Sequence, residues 1–126
     1  MLLESGWSTP EDWGVWTDGV SARIRLPVCD QSKWRVVLAG HGFVGGYSHE
    51  RNIAVRLREQ TVAKWTYTPD VPRFVKEFEV EGNGCGKGLV LEFDIPNAIS
   101  PAEVGGSVDL RRLGIALESV EIERYK

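Results

Sequence analysis

Short runs of alternating apolar and polar residues, about ten residues apart and separated by turn residues, constrain this chain more than any other feature. In residues 20–27, Ala22, Ile24 and Leu26 fall on one side, and Ser21, Arg23 and Arg25 on the other; Pro27 ends the run. Residues 34–39 are apolar enough for a strand buried on both faces, with a Gly-rich loop expected over 40–48. Residues 52–59 set Ile53, Val55 and Leu57 against Arg56 and Arg58, and the tight turn is expected at Glu59-Gln60. Residues 61–68 carry Val62, Trp65 and Tyr67 in a β-rich composition before the break Pro69-Asp70-Val71-Pro72.

Residues 73–80 alternate Phe74, Lys76, Phe78 and Val80 with Val75, Glu77 and Glu79. Residues 88–95 place Leu89, Leu91, Phe93 and Ile95 opposite Glu92 and Asp94. Gly82-Asn83-Gly84 between these runs predicts a hairpin turn. Residues 97–106 read as a loop with a short helical turn at 100–103. Residues 109–118 fit a helix or a strand; strand is preferred because Gly114 interrupts the run and 119–123 alternates. The sum is an all-β chain of seven to nine strands forming an antiparallel β-sandwich.

At 126 residues the chain is the size of one domain, and one domain over 1–126 is expected. A formal net charge of -3 argues against a nucleic-acid partner and against an anionic membrane surface. No apolar run approaches the ~18 residues of a membrane span, and Met1-Leu2-Leu3 is followed at once by Glu4, unlike a secretory leader. Cys29 and Cys85 are too few for a disulfide scaffold; two reduced thiols are preferred over one bridge.

The segment from Gly6 to Gly19 holds Trp7, Trp13 and Trp16, three of the five tryptophans, among Glu11, Asp12 and Asp18. Pro10 and the glycines break any helix there. A structured loop entering a strand is expected, with its rings either over the core or at the surface. Sugar recognition needs this chemistry: an indole face for a pyranose ring, and acids or arginines for its hydroxyls. Trp13, flanked by Gly14, is the ring most expected to be exposed.

Other motifs point nowhere specific. Gly40-His41-Gly42-Phe43-Val44-Gly45 spells G-x-G-x-x-G, but period-two residues follow it where a nucleotide fold needs a helix. The run 82–88 lacks the phosphate-loop spacing. His41, His49 and Glu50 do not match a metal-ligand pattern, and no metal or cofactor is expected. No G-x-S-x-G elbow occurs, and no acid pair can be assigned to glycosidase work, so the chain itself is expected not to be an enzyme. Asp109 and Arg111 share one side of a strand. They could pair with each other or reach the acids of the N-terminal loop, where a charge-assisted hydrogen bond from Arg111 to Glu11 would tie the chain ends together; that structural role is preferred over ligand binding.

The opening segment Gly6-Trp7-Ser8-x-Pro10-Glu11-x-Trp13-Gly14-x-Trp16-Thr17-Asp18-Gly19 combines with Ile95-Pro96-Asn97-Ala98-x-Ser100-Pro101 and Asp109-x-Arg111-x-Leu113-Gly114-Ile115-Ala116-Leu117 near the end. Together they resemble an accessory β-sandwich domain attached to bacterial glycosyltransferases and cell-surface polysaccharide proteins. The resemblance implies a jelly-roll or galactose-binding-like sandwich, a fragment of a larger transferase-type protein. It also implies a location in the bacterial cytoplasm or at the inner membrane face, beside a catalytic domain and with oligomers allowed. The expected role is weak, non-catalytic glycan binding, with Trp13 and Trp16 stacking and Glu11, Asp18 and Arg111 hydrogen bonding. The alternative is a structural or protein-interaction domain that orients or oligomerises its parent enzyme.

Overall fold

A computed structural model describes residues 2–28, 31–43, 50–82, 88–96, 98 and 111–125. Among the described residues, nine antiparallel strands form two sheets and there is no helix. In chain order they are β1 (Leu2–Leu3), β2 (Val15–Trp16), β3 (Ser21–Leu26), β4 (Lys33–Gly42), β5 (Arg51–Leu57), β6 (Gln60–Tyr67), β7 (Arg73–Glu81), β8 (Leu89–Asp94) and β9 (Ile115–Arg124). One sheet has the order β1-β3-β8-β5-β6 and the other β2-β9-β4-β7. Every connection but β5–β6 therefore passes from one sheet to the other, which makes the fold a sandwich rather than a row of hairpins.

The alternation seen in the sequence becomes the core. Ala22, Ile24 and Leu26 of β3 and Leu89, Leu91 and Phe93 of β8 are buried, facing Val36 and Leu38 of β4 and Phe74, Phe78 and Val80 of β7. Arginines and acids of the same strands point outward, where they pair across strands: Arg23 with Glu92, Arg56 with Asp94, Arg35 with Glu77.

Several expectations change. β4 is not buried on both faces: only alternate residues are fully covered, and the strand continues through His41 to Gly42, so the expected loop begins later. The β5–β6 turn lies at Arg58-Glu59, one residue earlier than expected, with φ of 50° and 70° and Leu57 paired to Gln60. Two left-handed residues suit a two-residue hairpin matched to strand twist. β7 and β8 do not form the hairpin expected across Gly82-Asn83-Gly84, because they belong to different sheets. Residues 83–87, the helical turn expected at 100–103, Asp109, and Cys29 and Cys85 lie outside the described residues.

Tyr67 clasps the open end between the sheets. Its hydroxyl donates to Gly114 O at 2.6 Å and lies 3.1 Å from Phe43 O. Burial pushes its pKa from 10.0 up to about 12, against the opposing charge of Arg51 and the hydrogen bond to Phe43. The unfolded chain loses this proton near pH ~10 while the folded chain keeps it. This contribution is complete below that pH and is lost as pH rises towards 12. We expect roughly 2 kcal/mol of stability to disappear over that window. Urea unfolding at pH 9 and pH 12 on wild type and Tyr67→Phe checks this, the wild type alone showing this part of the alkaline loss.

Candidate functional site

Cross-strand register builds one row on the outer face of the four-stranded sheet. Trp16 of β2 lies opposite Ala116 of β9, Ala116 opposite His41 of β4, and His41 opposite Arg73 of β7. Residues opposite one another share a face. The next row, Val15, Leu117, Gly40 and Phe74, points inward and is buried.

Trp13 joins this row from above. Residues Glu11 to Gly14 close a tight turn, with Glu11 N donating to Gly14 O at 2.8 Å and Gly14 N to Glu11 O at 3.2 Å. Gly14 lets the turn sit directly on β9: a Cβ there would stand 2.5 Å from Leu117 O. Trp13, at the turn's tip, remains 44% exposed. Its ring lies over His41 at 5.6 Å with a 33° tilt and meets Trp16 edge-on at 6.0 Å. Trp16 in turn meets His41 at 5.2 Å and Phe43 at 6.2 Å, both edge-on. These are favourable aromatic geometries, and they fix the Trp13 ring while leaving part of it to solvent.

A β-bulge supplies the polar part. The β4–β9 register slips between Ala39 and Gly40: Ala39 pairs with Ser119, Gly40 with Leu117, and Glu118 is the extra residue. Bulges of this kind re-aim a side chain. Glu118 Oε1 lies 2.8 Å from His41 Nδ1, and Arg73 Nη1 lies 3.3 Å from both carboxylate oxygens. An ionised carboxylate only accepts, so Nδ1 carries the proton of that bond. The His41 hydrogen bond, with Arg73 alongside, holds the Glu118 carboxyl below the usual carboxylate range. A groove of about 240 Å³ opens beside it, lined among others by Pro10, Glu11, Trp13, Glu118 and Ser119.

Of the residues expected to bind ligand, Trp13 and Trp16 come together and Glu11 borders the same groove. Asp18 and Arg111 hold the frame. Asp18 Oδ1 accepts from Arg112 N at 3.0 Å, and Asp18 N donates to Gly6 O at 2.7 Å. Arg111 does tie the chain ends together, but its hydrogen bond runs to Ser8 Oγ at 2.8 Å instead of to Glu11. Trp7 is structural too: its Nε1 donates to Arg23 O at 2.7 Å and its ring packs edge-on against Phe93 at 5.8 Å. His41, Arg73 and Glu118 were not expected at the site. His49 lies outside the described residues, and among those described no three His, Cys, Asp or Glu side chains group as metal ligands.

No family model matches this sequence, and no curated protein matches it. Among solved structures, the chain is similar to the CBM36-1 domain of a multidomain xylanase from the hindgut metagenome of Trinervitermes trinervoides. That match has a TM-score of 0.52 at 11% identity, over 100% of this chain and 92% of that one. It shows a shared sandwich fold. A structure described as "CBM4 structure and function" matches with a TM-score of 0.49 at 6% identity, over 98% of this chain and 77% of that one.

Proposed function

We propose that this domain binds a glycan without catalysing its reaction, using the Trp13 face as a stacking platform. One observation carries the reading: a tryptophan ring held by His41 and Trp16, yet 44% exposed, at the rim of a groove that also contains a charged glutamate. An exposed, oriented indole gives a pyranose its C–H face contact without an ordering cost at binding. Glu118 accepts from sugar hydroxyls and Arg73 donates to them. The groove is smaller than the ~300–1,000 Å³ pockets of drug-sized ligands, which suits one or two sugar rings lying across it. The fold shared with a xylanase's CBM36-1 domain supports the reading. The wider role, holding a glycan acceptor beside the catalytic domain of a bacterial transferase, rests on the sequence resemblance.

Calorimetric titration with neutral xylo-, cello- and galacto-oligosaccharides tests this reading. We expect saturable binding by at least one class, weakened about thirtyfold or more in Trp13→Ala, as for a ~2 kcal/mol hot spot. Melting of Trp13→Ala should stay within about 1 kcal/mol of wild type, because the ring is half in solvent. Binding that survives Trp13→Ala would remove the platform.

The structural alternative is favoured at Trp7, whose indole is committed to Arg23 O and Phe93, and at Asp18 and Arg111, which hydrogen bond to Arg112 N and Ser8 Oγ.

A further inference from the structure

The Trp13 groove is one end of a longer face. Beyond the row of His41 and Arg73, three more rows cross the outside of the four-stranded sheet. Ala39 lies between Val75 and Ser119, Val37 between Glu77 and Glu121, and Arg35 between Glu79 and Glu123. Tyr125 follows Glu123 at the strand period of two, and its backbone N donates to Lys33 O at 3.0 Å. Its ring therefore stands at the far end of the face that carries Trp16 and His41. Glu79, Glu77 and Arg35 of the outer rows lie close enough for their charges to act on its hydroxyl. Tyr125 is 42% exposed, nearly as much as Trp13.

The two ends are joined along β9. The Trp13 groove reaches Ser119 and Val120. A second groove, of about 390 Å³, begins at the next residue, Glu121, and runs to Glu123 beside Arg35 and Val37. Val37, Ala39 and Val75 give the middle rows a low apolar floor, and Val75 is 69% exposed. From His41 to Lys33 the face is roughly 26 Å long at the rise of an extended strand. Charge along it is one-sided. Arg35 is held from both flanks, with Nη1 3.3 Å from Glu77 and Nη2 3.3 Å from Glu123. Across the two far rows, Glu77, Glu79, Glu121 and Glu123 face that one arginine. Exposed carboxylates accept hydrogen bonds from hydroxyls, and their surplus repels a polyanion.

We infer that Trp13 and Tyr125 are the two ends of one binding track, and that its ligand is an extended, uncharged polysaccharide chain. The inference rests on the glycan reading of Trp13 and deepens it by naming the length and charge of the ligand. Tyr125 supplies a second stacking ring. The rows between supply an apolar floor for sugar C–H groups and carboxylates at its sides for sugar hydroxyls. A chain long enough to reach both rings gains the second contact at little further ordering cost, so it binds more tightly than a short one.

The probes are neutral xylo-, cello- and galacto-oligosaccharides, each as a trimer and an octamer, with polygalacturonate as the charged comparator. For the class that binds, we expect the octamer to bind about tenfold or more tightly than the trimer, on the scale of one added aromatic contact. Tyr125→Ala should remove most of that gain and leave trimer binding as in wild type. Tyr125→Phe, which keeps the ring, should stay within about twofold of wild type on both lengths. Trp13→Ala should weaken both lengths. Tyr125 is exposed and follows the end of β9, so its variants should fold, and circular dichroism checks this. Trimer and octamer binding equally, or an octamer gain that survives Tyr125→Ala, would overturn the track and leave the Trp13 platform standing. Polygalacturonate binding as tightly as the neutral octamer would overturn the choice of an uncharged chain. Binding by no neutral class at either length would overturn the platform and the track together.

Discussion

Thr17→Val should lower the stability of this domain by about 2–5 kcal/mol, the largest loss expected from a change that keeps side-chain shape. Thr17 is 1% exposed. Its hydroxyl accepts from Gly114 N at 3.2 Å and Ile115 N at 3.0 Å, and donates to Ile115 O at 3.3 Å. Valine fills the same space but orphans two buried N–H groups, each worth ~1–3 kcal/mol. The same region is held by Thr17 N donating to Ile115 O at 2.9 Å and Gly19 N to Arg112 O at 2.8 Å. Thr17 therefore pins the Trp-rich segment to the start of β9, directly behind Trp16. A single domain has only ~5–15 kcal/mol in total, so the midpoint of thermal unfolding should fall by roughly 8–20 °C. Thr17→Ser keeps the hydroxyl and loses one methyl, for ~1 kcal/mol. Equal losses in the two variants would show that the hydroxyl is not the anchor.

Gly42→Ala should cost about 3 kcal/mol or more. A Cβ at Gly42 would lie 2.0 Å from Tyr67 Cε1 and 2.2 Å from Cζ. That ring cannot step aside cheaply: Tyr67 is 2% exposed and its hydroxyl is held by Gly114 O. Overpacking usually costs ~1–3 kcal/mol, and the clash here lies at the upper end or beyond, because it also breaks the clasp. Chemical denaturation of Gly42→Ala measures it. A midpoint unchanged from wild type would mean that Tyr67 has room the packing does not show.

The strands were legible because each buries one face, so the period of two is written in residues such as Ile24, Val55 and Phe93. Their assignment to sheets was not. Gly82-Asn83-Gly84 has the composition of a hairpin turn, yet local composition cannot say that the next strand crosses to the opposite sheet. The candidate site was half legible. Trp13 beside glycine announced exposure, and the chain ends do meet, but the choice of Ser8 over Glu11 as partner of Arg111 depends on loop geometry. His41 was read as a loop residue because glycines flank it. In the fold those glycines are inward positions, Gly40 crowded by Ala116 O and Phe74 of its own sheet and Gly42 by Tyr67 from the opposite one. Glu118 had a signal that went unused: the apolar phase shifts from Ile115 and Leu117 to Val120 and Ile122, and such a slip of one marks a bulge.

On the proposed reading, Trp13 is a glycan platform separate from the tryptophans that hold the fold. The indole N–H resonances of the five tryptophans, followed by NMR during titration with the best-binding neutral oligosaccharide, test that division directly. We predict that Trp13 moves most and Trp16 less, while Trp7, whose indole N–H is committed to Arg23 O, stays in place. A saturating ligand that shifts Trp7 or Trp65 and leaves Trp13 unmoved would contradict the account.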